Sequence, residues 1–190
     1  ICAPLLNGSD HFMLSADASY LYYHTMSAYY YAISDLSASL EFLRKNLHHF
    51  NSLPRVLEID ANKKFSVLTN AIYICDKRGA YKDSIQYLNQ LKLMATQMRS
   101  NQDLEIKLFS SIRSIELSMK LRQGAFDEAC QIATKVIKGL QVYGSKVTAT
   151  RRLFLEFKIA IAFLGVGEYK AALFWTNKIL NDQELENNED

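Results

Sequence analysis

The stretch GAFDEACQIA, residues 124–133, decides the fold: a glycine, an aromatic residue two places on, and a small residue five places on at Ala129. Nearly the same order returns as GAYKDSIQYL from Gly79 and GEYKAALFWT from Gly167, at intervals of 45 and 43 residues. Ahead of Gly79, Val67, Ala71, Ile74 and Cys75 form one stripe at helical spacing, closed by a basic last turn, Lys77-Arg78, and then glycine. Beyond it, Ile85, Leu88, Leu91 and Met94 continue the spacing in a second helix. The unit is a helical hairpin. Counting back 45 residues from Gly79 reaches Ser34 in ISDLSASLEFL, where Leu36 stands for the aromatic and Ser39 for the small residue. This first copy is degenerate but in register.

Each recurring part has a physical task. Glycine admits the positive φ that stops the first helix, and the aromatic is expected to fill the wedge between helices. The small residue, Ser84, Ala129 or Ala172, lets the second helix approach closely. A period of this size marks a helical repeat array, in which each unit buries its faces against its neighbours. An ordinary helical bundle with similar turns is the alternative.

GAYKDSIQYLNQL, GAFDEACQIATKV and GEYKAALFWTNKI resemble the turn and second helix of the tetratricopeptide repeat (TPR) family, with a weaker likeness over about residues 12–180. The family's usual repeat is about 34 residues with a closing proline. Here the units are longer, and Thr96, Gln141 and Glu184 stand where that proline would fall. The resemblance implies an all-α fold: a right-handed superhelical array of about four TPR-like helical hairpins with a period of 43–45 residues. It further implies a concave wall built from first helices that holds a peptide or protein. Its groove-facing positions fall on Ser66, Thr69, Tyr73, Asp76 and Lys77 in the second unit. In the third they fall on Ser111, Ser114, Ser118, Leu121 and Arg122. Tyr73, Ser118 and Ile161 occupy the places where the family's clamp for a C-terminal carboxylate needs asparagine, so that clamp is not expected.

The composition sets further bounds. The 190 residues are 49% hydrophobic and 22% charged with a net charge of +2, which suits a folded core and marks no nucleic-acid binder. The last ten residues carry Asp182, Glu184, Glu186, Glu189 and Asp190 and no base, which reads as a solvated acidic tail. The absence of a long uncharged apolar run argues against membrane insertion. Three cysteines, Cys2, Cys75 and Cys130, without a CxxC pair suit a reducing, cytoplasmic setting. The chain opens ICAPLL with neither an initiator methionine nor a basic region ahead of an apolar core, so no intact signal peptide is read there, and whether the chain is a fragment of a longer protein is left open.

Residues 20–32, YLYYHTMSAYYYA, hold six tyrosines on two helical stripes, expected to pack against a repeat. Phe154, Phe157, Ile161 and Leu164 fall on groove positions of the fourth unit, where burial in the core is expected. The basic run Lys135, Lys138, Lys146, Arg151, Arg152 and Lys158 reads as a solvated surface. His48 and His49 are adjacent and point to different faces, unlike a helical metal pair. Cys75 and Cys130 sit at packing positions with no histidine near in sequence. Gly165-Val166-Gly167 closes a helix and is not a phosphate loop.

The expectation is therefore one TPR-like domain over residues 1–180, with turns near 34, 79, 124 and 167, and an acidic tail over 181–190. It acts as a non-catalytic scaffold without cofactor or metal. Its partner-binding groove uses Thr69, Tyr73, Asp76, Ser114, Ser118 and Arg122, and its partner is a protein or peptide. A homodimer through the terminal repeats is left open. The alternatives are a ligand- or peptide-sensing regulatory segment of a larger protein and, behind that, an enzyme with an unrecognised site.

Overall fold

The computed structural model describes residues 15–52, 61–97 and 101–181. Cys2, Pro4, His11, Pro54 and the acidic residues from Asp182 onward lie outside them. The regular structure of the described residues is helical: α1 (Ala16–Ala32), α2 (Leu36–Ser52), α3 (Ala61–Lys77), α4 (Tyr81–Gln97), α5 (Gln102–Arg122), α6 (Phe126–Tyr143), α7 (Ala149–Gly165) and α8 (Tyr169–Leu180). A 3-10 turn, Gly144–Lys146, leads from α6 toward α7.

Four joints pair these helices, and they share one geometry. Ser34, Gly79, Gly124 and Gly167 have φ of 64°, 71°, 69° and 82°. At each, the amide of the left-handed residue bonds back three residues, to Tyr31, Asp76, Leu121 or Leu164 (3.0 to 3.2 Å). The next amide bonds back five, to the carbonyl of Tyr30, Cys75, Lys120 or Phe163 (2.9 to 3.0 Å). This closure satisfies the last carbonyls of the first helix. The second helix then starts at once: the amide of the small residue, Ser39, Ser84, Ala129 or Ala172, donates to the carbonyl four places back. All four small residues are buried. The degenerate first copy thus obeys the same rule as the glycine copies.

The aromatic of the pattern behaves differently from the expectation. Tyr81 and Tyr169 are exposed and fill no wedge. Phe126 does: a Cβ on Gly165 of α7 would stand 2.1 Å from its ring. Phe109 of α5 is seated in the same way on Gly139 of α6 (2.0 Å). In both places a helical glycine makes the space that an aromatic ring occupies.

The described helices fall into two compact units that divide within α4, between Leu91 and Lys92. In the first, α2 packs between α1 and α3. Leu40, Leu43, Leu47 and Phe50 of α2 and Val67, Leu68, Ala71 and Ile72 of α3 are all buried. The tyrosines of α1 largely pack as expected: Tyr22, Tyr23 and Tyr30 surround Phe42 at 5.4 to 6.4 Å between centroids, and Tyr20 lies 5.9 Å from Phe50. Tyr29 and Ile33 remain exposed. Buried polar groups pair between helices. Ser39 donates to the Ser27 carbonyl (2.8 Å), and the Asn46 amide donates to the Tyr20 carbonyl (3.2 Å).

In the second unit α5, α6 and α7 pack on one another and α8 packs on α7. The core is Leu117, Ala129, Ala133, Val136, Leu155, Ile159, Ala162 and Trp175. Glu156 is fully buried, and its Oε1 lies 2.6 Å from the half-exposed Lys178 ammonium, which also stands 4.8 Å over the Trp175 ring. Neither carboxylate oxygen has a well-directed hydrogen bond. Lys178 therefore carries the compensation of a buried charge alone.

Three outcomes follow from this packing. A Cβ at Gly124 would meet nothing within 4 Å, so Gly124→Ala carries the backbone cost alone and lowers unfolding free energy by about 1–2 kcal/mol. Ser34→Gly removes the same strain and raises it by about 0.5–1 kcal/mol, with urea denaturation as the measurement. Lys178→Met strands the Glu156 charge and costs about 3 kcal/mol, most of which the double variant with Glu156→Leu recovers.

Candidate partner-binding site

Of the six residues singled out in the sequence, three lie on α3 and three on α5, and each set occupies one face of its helix. On α3, Tyr73 is 52% exposed and stands at the wall between α1 and α3. Asn70 and Lys77 share its face, and His24, Ala28 and Tyr31 approach from α1 at spacings of four and three. His24, Ala28, Tyr31, Asn70 and Tyr73 border a pocket of about 230 Å³, floored by Ser27, Ser39 and Ile74. The rings of Tyr31 and Tyr73 lie 6.0 Å apart, and the Lys77 ammonium sits 4.9 Å from both centroids. It donates to the Tyr31 hydroxyl at 2.7 Å, which in turn donates to that of Tyr73 at 3.3 Å. Lys77's hydrogen bond holds the Tyr31 phenol below its ordinary pKa, and the same bond raises that of Lys77. Deeper in, His24 stacks on Tyr20 at 5.4 Å, and its Nδ1 is buried without a partner.

The other two α3 residues offer less. Thr69 spends its hydroxyl on its own helix, donating to the carbonyls of Ser66 (2.9 Å) and Phe65 (3.0 Å). Asp76 accepts from Ser84 at 2.9 Å and so ties α3 to the start of α4. These two residues brace the wall, and Tyr73 faces outward from it.

In the second unit the wall lies between α5 and α7. Ser114 accepts the Lys158 ammonium on its hydroxyl (2.5 Å) and its carbonyl (3.1 Å). Ser118 is half-buried one turn on, and Arg122 is exposed at the helix end. Burial, and then the nearby Arg122 charge, lower the pKa of Lys158. The basic run accordingly does not form one solvated surface: Lys135, Lys138 and Lys146 are exposed, and Lys158 is turned onto α5. The expected burial of the α7 aromatics also fails. Phe154, Phe157 and Leu164 are 57%, 54% and 56% exposed, because the buried side of α7 is already supplied by Leu155, Ile159 and Ala162.

Sequence reasoning gave Tyr73 and Arg122 but no role to Asn70 or His24, nor any link between Tyr31 and Lys77. A signal existed: Tyr31 and Tyr73 each lie within two turns before a left-handed joint, where first helices face the wall.

The two described cysteines are set by burial. Burial pushes the Cys75 thiol up to about 11, and burial likewise raises Cys130, which keeps both protonated and poorly nucleophilic at neutral pH. Among the described residues no cluster of three or more His, Cys, Asp or Glu is placed to hold a metal ion. Nor is any described helix long and apolar enough to cross a membrane.

Replacing Lys77 by Met removes the donor that favours the Tyr31 phenolate, so the Tyr31 ionisation moves up toward about 10. Site-resolved NMR titration of the ring Cζ carbons reads this shift, and an unmoved Tyr31 would mean that the 2.7 Å bond does not form in solution. No protein-family model matches this chain, and no curated protein matches it.

Proposed function

We propose that this chain is a non-catalytic interaction module of TPR-like hairpins, arranged as a right-handed superhelix, whose first-helix walls bind a protein or peptide. The observation that carries this reading is Tyr73. A large aromatic with a polar tip stays half in solvent beside an open pocket, among Asn70, Tyr31 and Lys77, on a wall that rigid helices hold in place. Aromatic residues of this kind dominate binding energy where they are pre-positioned. Helices locked by Schellman joints lose little conformational entropy on association. Binding then rests on shape and polar complementarity, with Tyr73 and Lys77 as contacts and Thr69 and Asp76 as braces. In the second unit Ser114, Ser118 and Arg122 provide the corresponding polar wall.

One observation favours the second reading, a ligand-sensing segment. His24, whose buried Nδ1 has no hydrogen-bond partner, lines a pocket of about 230 Å³, large enough for a ligand of amino-acid size. Such a ligand would touch Tyr31 from α1 and Tyr73 from α3 and so bias the α1–α3 wall.

Peptides selected by display on the immobilised chain, titrated by fluorescence anisotropy, test the module reading. Tyr73→Ala with Lys77→Ala is expected to weaken the selected peptides at least tenfold, roughly 1.4 kcal/mol, with melting unchanged. Unchanged affinity removes the α1–α3 wall from the site. A large loss of stability would make Tyr73 a structural residue.

A further inference from the structure

The face of α7 that looks away from the core is apolar over three turns. Phe154, Phe157, Ile161 and Leu164 follow one another at i, i+3, i+7 and i+10, opposite the buried Leu155, Ile159 and Ala162. The stripe runs about 15 Å along the helix. Isolated exposed apolar residues need no explanation, but three large ones, each more than half exposed, in one line on one helix do.

The edge of this stripe is charged on one side only. Arg151 and Lys158, seven residues apart, lie on the edge that turns toward α5, where Lys158 reaches Ser114. Both bonds of Lys158 go to neutral oxygens, and the charge that perturbs it belongs to Arg122, a cation. The one acid within α7, Glu156, is buried and engaged by Lys178. An antiparallel pairing of two copies of this face would set cationic edge against cationic edge, which disfavours that pairing, whereas an acidic partner meets the rim with opposite charge.

We infer that the α7 face, with Phe154, Phe157, Ile161 and Leu164 as its floor and Arg151 and Lys158 as its rim, docks an amphipathic helix of a partner protein whose flank is acidic. Apolar side chains at i, i+3 or i+4, and i+7 of that helix lie along the stripe, and its carboxylates lie against the rim. The contact positions come from the ridge spacing of two helices, and the direction of charge comes from the rim. This inference rests on the reading of the chain as an interaction module, but it uses a face in a different unit from the Tyr73 pocket.

The test uses the full chain and three synthetic 18-residue helical peptides: apolar residues along one stripe with glutamates on its flank, the same stripe with lysines, and the glutamate peptide with its apolar residues changed to serine. Anisotropy titration is expected to show the acidic peptide bound at least tenfold more tightly than the other two. Phe157→Ser should weaken it at least tenfold, and raised salt should weaken it further. Arg151→Glu, at the rim and clear of the core, should shift preference toward the lysine peptide. Tyr73→Ala with Lys77→Ala should leave this binding unchanged, so a failure here beside intact Tyr73-dependent binding condemns the α7 site alone. Equal binding of the acidic and basic peptides, or no binding of either, overturns the inference. So does sedimentation equilibrium showing a dimer that Phe157→Glu dissociates, since a second copy would then be the cover.

Discussion

A left-handed residue followed five places on by a small buried one is the constraint from which the remaining structure follows. The left-handed φ turns the chain so that two amides close on the carbonyls of the helix just ended. The small residue then donates the opening bond of the next helix while lying against the previous one, where a longer side chain would hold the two apart. Because both events fall within six residues, the direction and the separation of the paired helices are fixed together. Ser34 makes the point most clearly. It carries a Cβ into a conformation that disfavours one, and the joint around it is still the same, so the surrounding packing outweighs a cost of about 1 kcal/mol.

Between the joints, specific contacts decide which helix faces meet. Glycines in mid-helix or at a helix end receive rings: Gly139 receives Phe109, and Gly165 receives Phe126. Polar groups inside the units are matched in pairs that hold only in one register, such as Ser27 with Ser39 and Asn46 with the Tyr20 carbonyl. Glu156 and Lys178 act likewise between α7 and α8. A buried ion pair adds little net stability over an apolar one, but a slipped register would leave a charge without its partner. Register is what such a pair contributes.

Much of the architecture was legible in the sequence because it is encoded locally. The turn positions, the small residues at 39, 84, 129 and 172 and the helical hairpins all follow from spacing within about fifteen residues. The candidate site was legible only in part. Tyr73 and Arg122 could be placed by counting from a joint. Which of their neighbours turn outward depends on helices distant in sequence, so Thr69 was expected at the wall and is found bonding its own helix. The same reason explains Tyr81 and Tyr169. Their position in the turn matches Phe126, but only Phe126 meets a glycine on a facing helix.

The sequence by itself determined the helices, their four joints and their pairing, since these depend on backbone conformation and near-neighbour size. The tertiary structure alone decided that Phe154, Phe157 and Leu164 lie in solvent, that Lys158 turns onto Ser114, and that Lys77 sits between two tyrosines. Helical spacing states which residues share a face. Only the packing of the other helices states which face is left open, because an apolar stripe reads the same whether or not a neighbour covers it.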